Sequence, residues 1–276
     1  KKLFMMPGLK TAIVNLDDSF ALSIINSVSS DVEILTYSLK NKIASVFAES
    51  LELTRNGFRA KICTPIGMGE ITGKLIGYFN FSNVLAVLTA LINYLPRHSG
   101  INIDSICQKI SELQPVDGRM EIIGESEEIT VVVDYAHTPD GLCSALTALK
   151  DHFSGQIWCI FGCGGNRDKG KRPLMGEIAE KHSSQIVITD DNPRNEGGDE
   201  IVQHILSGVR WKENIKIIRD RAKAISYAIS QAKAGDVVLV AGKGHETYQD
   251  IAGIRNIFSD AKQVRVALQE REATGR

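Results

Sequence analysis

Four polar segments of the sequence hold residue types that can bind a charged small molecule. Each carries charged or amide side chains, and two of them also carry glycine, which lets a backbone approach a ligand closely. The segments are Asp134–Pro139, Gly162–Pro173, Asp190–Glu196 and Ala241–Glu246. Arginine can hold a carboxylate through two parallel hydrogen bonds, and glutamate can hold an ammonium group. An arginine segment and a glutamate segment at one edge of a fold could therefore bind both charges of an amino acid.

The segment Asp190–Glu196 offers an arginine and an asparagine in a stiff setting. Pro193 fixes its own φ and biases Asn192 toward an extended conformation, which limits how Asn192 and Arg194 can be displayed. Taken alone, the segment is equally typical of a polar turn. Its position relative to the other segments must decide between the two interpretations.

The elements around these segments place all four at one edge of a sheet. The predicted strands lie near 130–133, 156–161, 185–189, 215–218 and 236–240, and the predicted helices near 141–152, 173–181, 199–207 and 221–234. Near-continuous apolar strands that alternate with helices predict a parallel sheet covered on both faces. Each polar segment follows one of these strands, and ligands of such sheets bind beyond the carboxyl ends of the strands. We therefore expect the four segments to meet.

The first part of the chain has a different pattern. Its predicted elements are a strand (11–14), a helix (17–28), a strand (32–36), an antiparallel patch (45–76) and two helices (83–94 and 104–113). Asn56-Gly57 and Gly67-Met68-Gly69 are the turn signals within the patch. We expect an α/β chain of two domains, 1–122 and 123–276, of which the second is doubly wound around a mainly parallel sheet.

The bulk composition limits the classes of function. The chain has 276 residues and a formal net charge of -1, so we expect no nucleic-acid partner. Its longest apolar run, Val84–Ile92, is too short to span a bilayer, and we expect no stable membrane insertion. The 5 cysteines are odd in number, which favours a reducing cytoplasm over a disulfide framework. Cys159 and Cys163 lack the spacing of a zinc site, and we predict no metal ligands.

Two asparagines in the first part could bind a nucleotide base. Asn80 and Asn83 lie three residues apart, so they share one face of a predicted helix, and their amides suit an adenine edge. Helix capping is the alternative role for this pair. In the second part, Asp134 at a strand end could accept hydrogen bonds from a ribose; a helix cap with a structural His137 is the alternative there.

Taken together, six blocks of the sequence resemble the Mur ligase family. The blocks are Gly77–Asn80 with Asn83, Gly118–Glu121, Asp134–Pro139, Phe161–Pro173, Asp190–Arg194 and Val240–Glu246. They occur in the family's order and cover most of the chain from about Gly77 to Asp260. The resemblance implies the C-terminal part of the family's central ATP-binding domain, followed by its Rossmann-like amino-acid-binding domain. The family uses ATP to join a carboxylate to an amine through an acyl phosphate.

The resemblance also implies ligands and roles. It implies ATP and Mg²⁺ as cofactors, and the residues that it places at ATP are Asn80, Asn83, Arg119, Asp134 and His137. The residues that it places at meso-diaminopimelate are Arg167, Asp191, Asn192, Pro193, Arg194, Gly242 and Glu246. Members with Asp-Asn-Pro-Arg add meso-diaminopimelate to UDP-N-acetylmuramoyl-L-alanyl-D-glutamate in peptidoglycan synthesis. Lysine-adding relatives carry a different residue at the position of Arg194. We expect a monomer in the cytoplasm.

Three features of the family are missing from the sequence. It has no Gly-x-x-Gly-Lys-Thr/Ser phosphate loop, no segment with the carbamylated lysine that helps to hold magnesium, and no domain for the UDP end of the substrate. All three would precede Lys1, as would the catalytic residues. We therefore expect the C-terminal portion of a longer enzyme, without ligase activity of its own.

Three alternatives remain open at this point. A folylpolyglutamate synthase would share the architecture and the block Asp134–Pro139, but it would not explain Asp190–Arg194. A nucleotide-binding oxidoreductase would use Gly162–Gly165, although Arg167 stands where the third glycine of a dinucleotide fingerprint belongs. A non-catalytic module that binds a nucleotide or an amino acid would account for the missing phosphate loop.

Overall fold

The computed structural model describes residues 1–99, 102–125 and 129–274. The chain divides into two compact units, Lys1–Gln114 and Pro115–Arg276. This division lies upstream of the predicted domain boundary. The reason is that strand β6 pairs with strand β7 and so belongs to the sheet of the second unit.

The first unit is built on a five-stranded mixed sheet in the order β1-β2-β3-β4-β5. Its strands are β1 (Thr11–Asn15), β2 (Glu33–Ser38), β3 (Val46–Thr54), β4 (Gly57–Thr64) and β5 (Gly67–Gly73). Its helices are α1 (Ala21–Ile25), α2 (Tyr78–Ser99) and α3 (Ile103–Ser111), after a short 3-10 helix at Lys2–Met5. The first three strands pair in parallel and the last two pairings are antiparallel, which confirms the predicted antiparallel patch.

Helix α2 supplies much of the apolar core of the first unit. Phe81, Leu85, Leu88 and Ile92 recur at a spacing of three or four residues and are all buried, so one face of the helix lies against the sheet. The ring of Phe81 lies 4.7 Å from the ring of Phe58, measured between centroids. This packing fixes the first turn of α2, where Asn80 lies, one turn before Asn83.

Two local predictions for the first unit were wrong. The second turn of the antiparallel patch falls at residues 65–66, because Thr64 already pairs with Gly67 and the glycines belong to β5. The first helix is shorter than predicted. The hydroxyl of Ser27 donates to the carbonyl of Ile24 at 2.7 Å, and such side-chain bonds compete with continuation of a helix.

The second unit contains a six-stranded sheet in the order β10-β9-β8-β11-β7-β6. Its strands are β6 (Glu121–Glu125), β7 (Thr130–Asp134), β8 (Ile157–Phe161), β9 (Gln185–Ile188), β10 (Ile215–Ile217) and β11 (Val237–Ala241). Its helices are α4 (Pro139–His152), α5 (Lys171–His182), α6 (Gly198–Leu206), α7 (Arg221–Gln231) and α8 (Asp260–Ala273). Five strands are parallel, as predicted, and β6 is an antiparallel edge strand.

Helices cover both faces of this sheet. Helices α7 and α8 pack against each other and against the face that carries Val131, Val133 and Ile160. Helices α4, α5 and α6 pack in succession along the other face. All five residues of each of the central strands β7, β8 and β11 are buried, which is the burial expected of parallel strands covered on both sides.

Three elements of the second unit were not predicted. Strand β6 is short and irregular, with a break in register between Ile122 and Gly124. The hairpin of β12 (Tyr248–Ile251) and β13 (Ile254–Ile257) is largely solvent-exposed, and half of the residues of α8 are exposed. Exposed elements carry weak apolar periodicity, which is the signal on which the prediction depended. Within the described residues, no helix combines the length and the apolar character needed to cross a membrane.

Candidate functional site

The four polar segments meet at the carboxyl edge of the second sheet, as predicted. Strands β9, β8, β11 and β7 are neighbours in that order, so the loops that follow them are neighbours too. After β8 the chain continues through α5 to the neighbouring strand β9. After β11 it continues through the hairpin β12–β13 to α8, which packs against β6 and β7, on the opposite side of β11 from β8. The winding direction therefore changes between β8 and β11, which is the point where open α/β sheets bind their ligands.

A cleft of about 470 Å³ lies between these loops. The predicted site residues that line it are His137, Arg167, Asp191, Asn192, Arg194, Gly242 and Glu246. The other lining residues are Tyr135, Thr138, Gly164, Asp168, Lys171 and Tyr248, to which no role had been given. Pro193 is buried and does not line the cleft. Arg119 and Asp134 lie in the second unit outside its lining, and Asn80 and Asn83 lie in the first unit.

One side of the cleft carries cations that have no carboxylate partner among the described residues. The Nη1 atom of Arg194 donates to the carbonyl oxygens of Gly165 at 2.9 Å and Asn192 at 3.4 Å. The ammonium of Lys171 donates to the carbonyl of His137 at 2.7 Å, and Arg167 is exposed to solvent. Neutral carbonyls orient these groups without cancelling their charge. This side of the cleft can therefore bind anions such as carboxylates.

The other side of the cleft carries two carboxylates that share one buried cation. The ammonium of Lys243 lies 3.0 Å from Oε2 of Glu246 and 3.4 Å from Oδ1 of Asp191. Asn192 completes the group, since its Nδ2 donates to Oε2 of Glu246 at 3.0 Å. Two carboxylates and one ammonium leave one net negative charge, which suits an ammonium group on a ligand. The sequence had indicated Glu246 for that role but not Lys243.

The hairpin β12–β13 positions Arg194. The backbone nitrogen of Arg194 donates to the carbonyl of Asp250 at 3.0 Å, and its own carbonyl accepts from Ala252 at 2.7 Å. Arg194 has a φ of +52°, a left-handed conformation that is uncommon for a residue other than glycine. The hairpin thus holds the arginine in a turn from which its side chain reaches the cleft.

The glycine-rich loop after β8 is tied to the segment after β9. The backbone nitrogen of Gly165 donates to the carbonyl of Asn192 at 2.9 Å. Arg172 is fully buried beneath both loops, and its Nη2 donates to Gly164 at 3.2 Å and to Oε2 of Glu196 at 2.9 Å. This pair of loops therefore forms one wall of the cleft.

Glycine at position 165 should be required by this close approach. A Cβ on Gly165 would lie 1.8 Å from the carbonyl oxygen of Pro193, so Gly165→Ala must push the two loops apart. We expect a stability loss of about 1–3 kcal/mol, of the size seen on overpacking, together with weaker ligand binding in the cleft. Gly197→Ala is the matched control, since nothing lies within 4 Å of its Cβ position. Chemical denaturation of both variants checks this, and equal stabilities would contradict the described contact.

An aromatic cluster adjoins the cleft on the side of β7. The guanidinium carbon of Arg119 lies 4.5 Å from the centroid of the Tyr135 ring, within the range of a cation–π contact. The ring of His137 meets the same ring edge-on at 4.7 Å, and the ring of His245 stacks on it at 5.5 Å. Tyr135 thus connects two of the residues predicted for a nucleotide with the loop that carries Glu246.

Asp134 is held firmly at the end of β7. Its two oxygens accept from the backbone nitrogens of Met120 at 2.8 Å and Ala136 at 2.7 Å. Burial raises the pKa of the Asp134 carboxyl, and these hydrogen bonds offset only part of that effect. A carboxylate has about four lone-pair sites, so the geometry is compatible with a further donor such as a ribose hydroxyl.

The asparagine pair lies at the start of α2. Asn80 is half-buried, and its Nδ2 donates to the carbonyl of Ile76 at 2.8 Å, which leaves its amide oxygen available. Asn83 is exposed one helical turn further on. The pair therefore offers amide groups at the helix surface, and one of them also has a structural bond.

Cys159, which lies in β8, and Cys163, which follows it, do not have the properties of metal ligands. Burial raises the pKa of the Cys163 thiol to about 12 and also raises the pKa of Cys159, so both thiols are protonated at neutral pH. Within the described residues, no group of three or more His, Cys, Asp or Glu side chains could hold a metal ion.

Comparison with known proteins identifies both parts of the chain. Residues 1–91 match the Mur ligase middle domain, and residues 118–244 match the domain described as "Mur ligase, glutamate ligase domain". A UDP-N-acetylmuramoyl-L-alanyl-D-glutamate–2,6-diaminopimelate ligase from Coxiella burnetii is 42% identical over 270 residues, which are 96% of this chain and 54% of that protein. The ligase of the same description from Alkalilimnicola ehrlichii is 43% identical, over 98% of this chain and 53% of that protein. The chain thus spans about half the length of these curated relatives.

Solved structures agree with the sequence comparisons. A structure of a UDP-N-acetylmuramoyl-L-alanyl-D-glutamate–2,6-diaminopimelate ligase matches with a TM-score of 0.71 and 37% identity, covering 100% of this chain and 55% of that one. A folylpolyglutamate synthase from Thermotoga maritima matches with a TM-score of 0.60 and 19% identity, over 83% of this chain and 50% of that one, which shows a shared fold alone. With both domains matched in order, the chain belongs to the Mur ligase family.

Proposed function

We propose that this chain is part of an ATP-dependent amide ligase that adds meso-diaminopimelate to UDP-N-acetylmuramoyl-L-alanyl-D-glutamate in peptidoglycan synthesis. Membership of the Mur ligase family supports the reaction class, because Mur ligases are ATP-dependent amide ligases. The names of the relatives that are about 42% identical support the choice of amino acid. The cleft of the second unit is the proposed binding site for that amino acid.

The arrangement of charge in the cleft is the observation that carries this proposal. Diaminopimelate has two carboxylates and two ammonium groups, whereas lysine has one carboxylate. Arg167, Lys171 and Arg194 have no carboxylate partner among the described residues, and the opposite side of the cleft keeps one net negative charge. A ligand with two carboxylates and an ammonium group would complete both sides. With lysine bound, one of the cations would be left without a carboxylate partner, which opposes binding.

The proposed roles of the nucleotide residues rest on the geometry within each unit. Asn80 and Asn83 offer amides for an adenine edge, Asp134 offers lone pairs for a ribose, and Arg119 with His137 flanks the Tyr135 ring. Bound ATP would supply the phosphoryl group that activates the substrate carboxylate. Since the described residues offer no cluster of acidic ligands, we assign none of them to Mg²⁺.

The proposed compartment and oligomeric state of the enzyme follow from the kind of substrates it would use. Both are small molecules, the nucleotide-linked dipeptide and the free amino acid, and we propose that the ligase acts on them as a monomer in the cytoplasm. The buried, protonated thiols of Cys159 and Cys163 are compatible with a reducing compartment. Gel filtration with light scattering would test the proposed oligomeric state.

Titration of this chain with amino acids tests the proposed site directly. We expect meso-diaminopimelate to bind, and L-lysine to bind at least about tenfold more weakly, because lysine leaves one arginine without a carboxylate. Isothermal calorimetry or NMR titration gives both affinities. We also expect no amide formation from ATP and the nucleotide-linked dipeptide with this chain alone, since the sequence has no phosphate loop. Equal affinities for the two amino acids would contradict the site, and turnover would contradict the expected inactivity.

A further inference from the structure

The most unusual charged group near the cleft is the buried ammonium of Lys243. Its side chain is 0% exposed, and it does not line the cleft. Its Nζ atom lies 2.9 Å from Oδ1 of Asn192, 3.0 Å from Oε2 of Glu246 and 3.4 Å from Oδ1 of Asp191. All three of these partners line the cleft. One buried cation thus contacts three of the residues that would touch the ligand.

Lys243 determines the orientation of the side-chain amide of Asn192. The Oδ1 atom of Asn192 accepts from Lys243 and also from the backbone nitrogen of Asp250 at 2.9 Å. With its oxygen held by two donors, the amide must turn its Nδ2 the other way, where it donates to Oε2 of Glu246 at 3.0 Å. The orientation of one asparagine therefore depends on a lysine behind it.

Lys243 also holds the carboxylate of Glu246 and offsets its negative charge. Oε2 of Glu246 accepts from both Lys243 and Asn192, which leaves Oε1 as the oxygen without a protein partner among the described residues. Without the ammonium, Asp191 and Glu246 would be two like charges at the same edge, and like charges in a partly buried site repel strongly. The ammonium of Lys243 lies within ion-pair distance of both carboxylates and offsets the repulsion between them.

A glycine and a buried arginine explain why the lysine side chain can occupy this place. Gly242 has a φ of +118°, which lets the chain turn directly after β11 and send Lys243 inward. On the far side, Arg221 is paired with Asp260 and donates to the carbonyl of Ala241, so it supports the loop from below. The loop after β11 therefore itself forms the site that holds the ammonium of Lys243.

We propose that Lys243 is a positioning residue of the amino acid site: it orients Asn192 and Glu246 and balances the charge of Asp191 and Glu246 without touching the ligand. The inference rests on the proposed function, because the ligand whose ammonium meets these groups is the diamino acid. The alternative is a lysine that only stabilises the fold. The two roles differ in the affinity of the folded protein, which a purely structural lysine would leave unchanged.

The test compares Lys243→Met with the unmodified chain, with meso-diaminopimelate as the ligand. Methionine keeps the length and the apolar stem of lysine and removes its charge. Below the melting temperature of each variant, we expect Lys243→Met to bind about tenfold to a hundredfold more weakly, since removing one partner leaves the others buried and unbalanced. Lys150→Met is the control, because Lys150 is exposed on α4, does not line the cleft and donates to the carbonyl of Lys181 at 3.4 Å.

A second variant keeps the test decisive if Lys243→Met folds poorly. In Lys243→Met/Asp191→Asn, the loss of one positive charge is balanced by the loss of one negative charge. We expect Lys243→Met to weaken binding far less in the Asp191→Asn background than in the unmodified one, which is the signature of coupled charges. Side-chain amide NMR signals of Asn192 should shift in the single variant.

The outcomes separate the inference from the proposed function. Unchanged affinity in folded Lys243→Met would overturn the positioning role and leave the diaminopimelate site intact. Equal losses in both backgrounds would overturn the charge balance between Lys243 and Asp191 and support the orienting contacts to Asn192 and Glu246 alone. No binding of diaminopimelate by the unmodified chain would overturn the proposed function, and this inference with it. A lower melting temperature with unchanged affinity would show a lysine that only stabilises the fold.

Discussion

Arg194→Ala should remove the preference of the site for meso-diaminopimelate over L-lysine. In the structure, Arg194 is oriented by two carbonyl oxygens and has no carboxylate partner among the described residues. A ligand with a second carboxylate can supply that partner, and a charge-assisted hydrogen bond is worth about 1.5–3 kcal/mol. We therefore expect affinity for diaminopimelate to fall by about tenfold to a hundredfold, whereas lysine, which lacks that carboxylate, should lose little. Competition titrations with the two amino acids measure both changes.

Two further variants sharpen this prediction. Arg194→Lys keeps the charge but loses the planar fork that holds a carboxylate through two bonds, so its preference should be intermediate. Arg210→Ala removes an exposed arginine outside the cleft and should leave both affinities unchanged. An unaltered ratio of affinities in Arg194→Ala would show that Arg194 does not select the amino acid.

The largest loss of stability is expected from breaking the pair between Arg221 and Asp260. Both side chains are 0% exposed, and two hydrogen bonds of 2.7 and 2.8 Å join them. Burial alone would lower the pKa of Arg221, but the charge and hydrogen bonds of Asp260, together with the charges of Asp191 and Glu246, outweigh that effect and the pKa is raised. Arg221→Met would leave a buried carboxylate without its cation. We expect a loss of about 3–5 kcal/mol in the free energy of unfolding, measured by denaturant titration.

Replacing both partners separates the charge from the packing. Arg221→Met/Asp260→Leu removes the unbalanced carboxylate and should recover most of the stability, as apolar replacements of buried pairs often do. Lys223→Met, on the same helix, removes a lysine that is 79% exposed and lies 4.0 Å from Asp220, and should change stability by less than about 1 kcal/mol. A single variant as stable as the unmodified protein would contradict the buried pair.

The parallel sheet was predictable because its strands are buried on both sides. Residues such as Val131, Val132 and Val133 form uninterrupted apolar runs, and such runs between helices have few alternatives. The meeting of the polar segments followed from the sheet, since parallel strands end at one edge. The elements that escaped prediction, β6, the hairpin β12–β13 and α8, lie at the edge or the surface, where burial leaves little pattern in the sequence.

The sequence predicted which polar segments meet at the sheet edge, but it predicted neither the full lining of the cleft nor the contacts between its residues. Pro193 suggested a stiff display of Arg194, but the structure shows that the exposed hairpin holds Arg194 through Asp250 and Ala252. Lys243 was visible in the sequence only as a charged residue between glycines. Its burial depends on how the loop turns after β11, and that turn is a property of the folded sheet. Spacing along the chain can thus show which residues gather, whereas their pairing needs coordinates.

The ties between the glycine-rich loop and the segment after β9 bear on attempts to transplant amino acid selectivity between relatives. The backbone nitrogen of Gly165 donates a hydrogen bond to Asn192, and the side chain of Arg194 donates one to Gly165. The hairpin β12–β13 in turn holds the backbone of Arg194. The glycine-rich loop, the segment after β9 and the hairpin therefore form one unit connected by hydrogen bonds. Grafting a foreign 191–194 segment by itself would leave it without the neighbours that shape it. A chimera should succeed only when all three stretches come from the same donor, and the natural variation of these stretches should be correlated for the same reason.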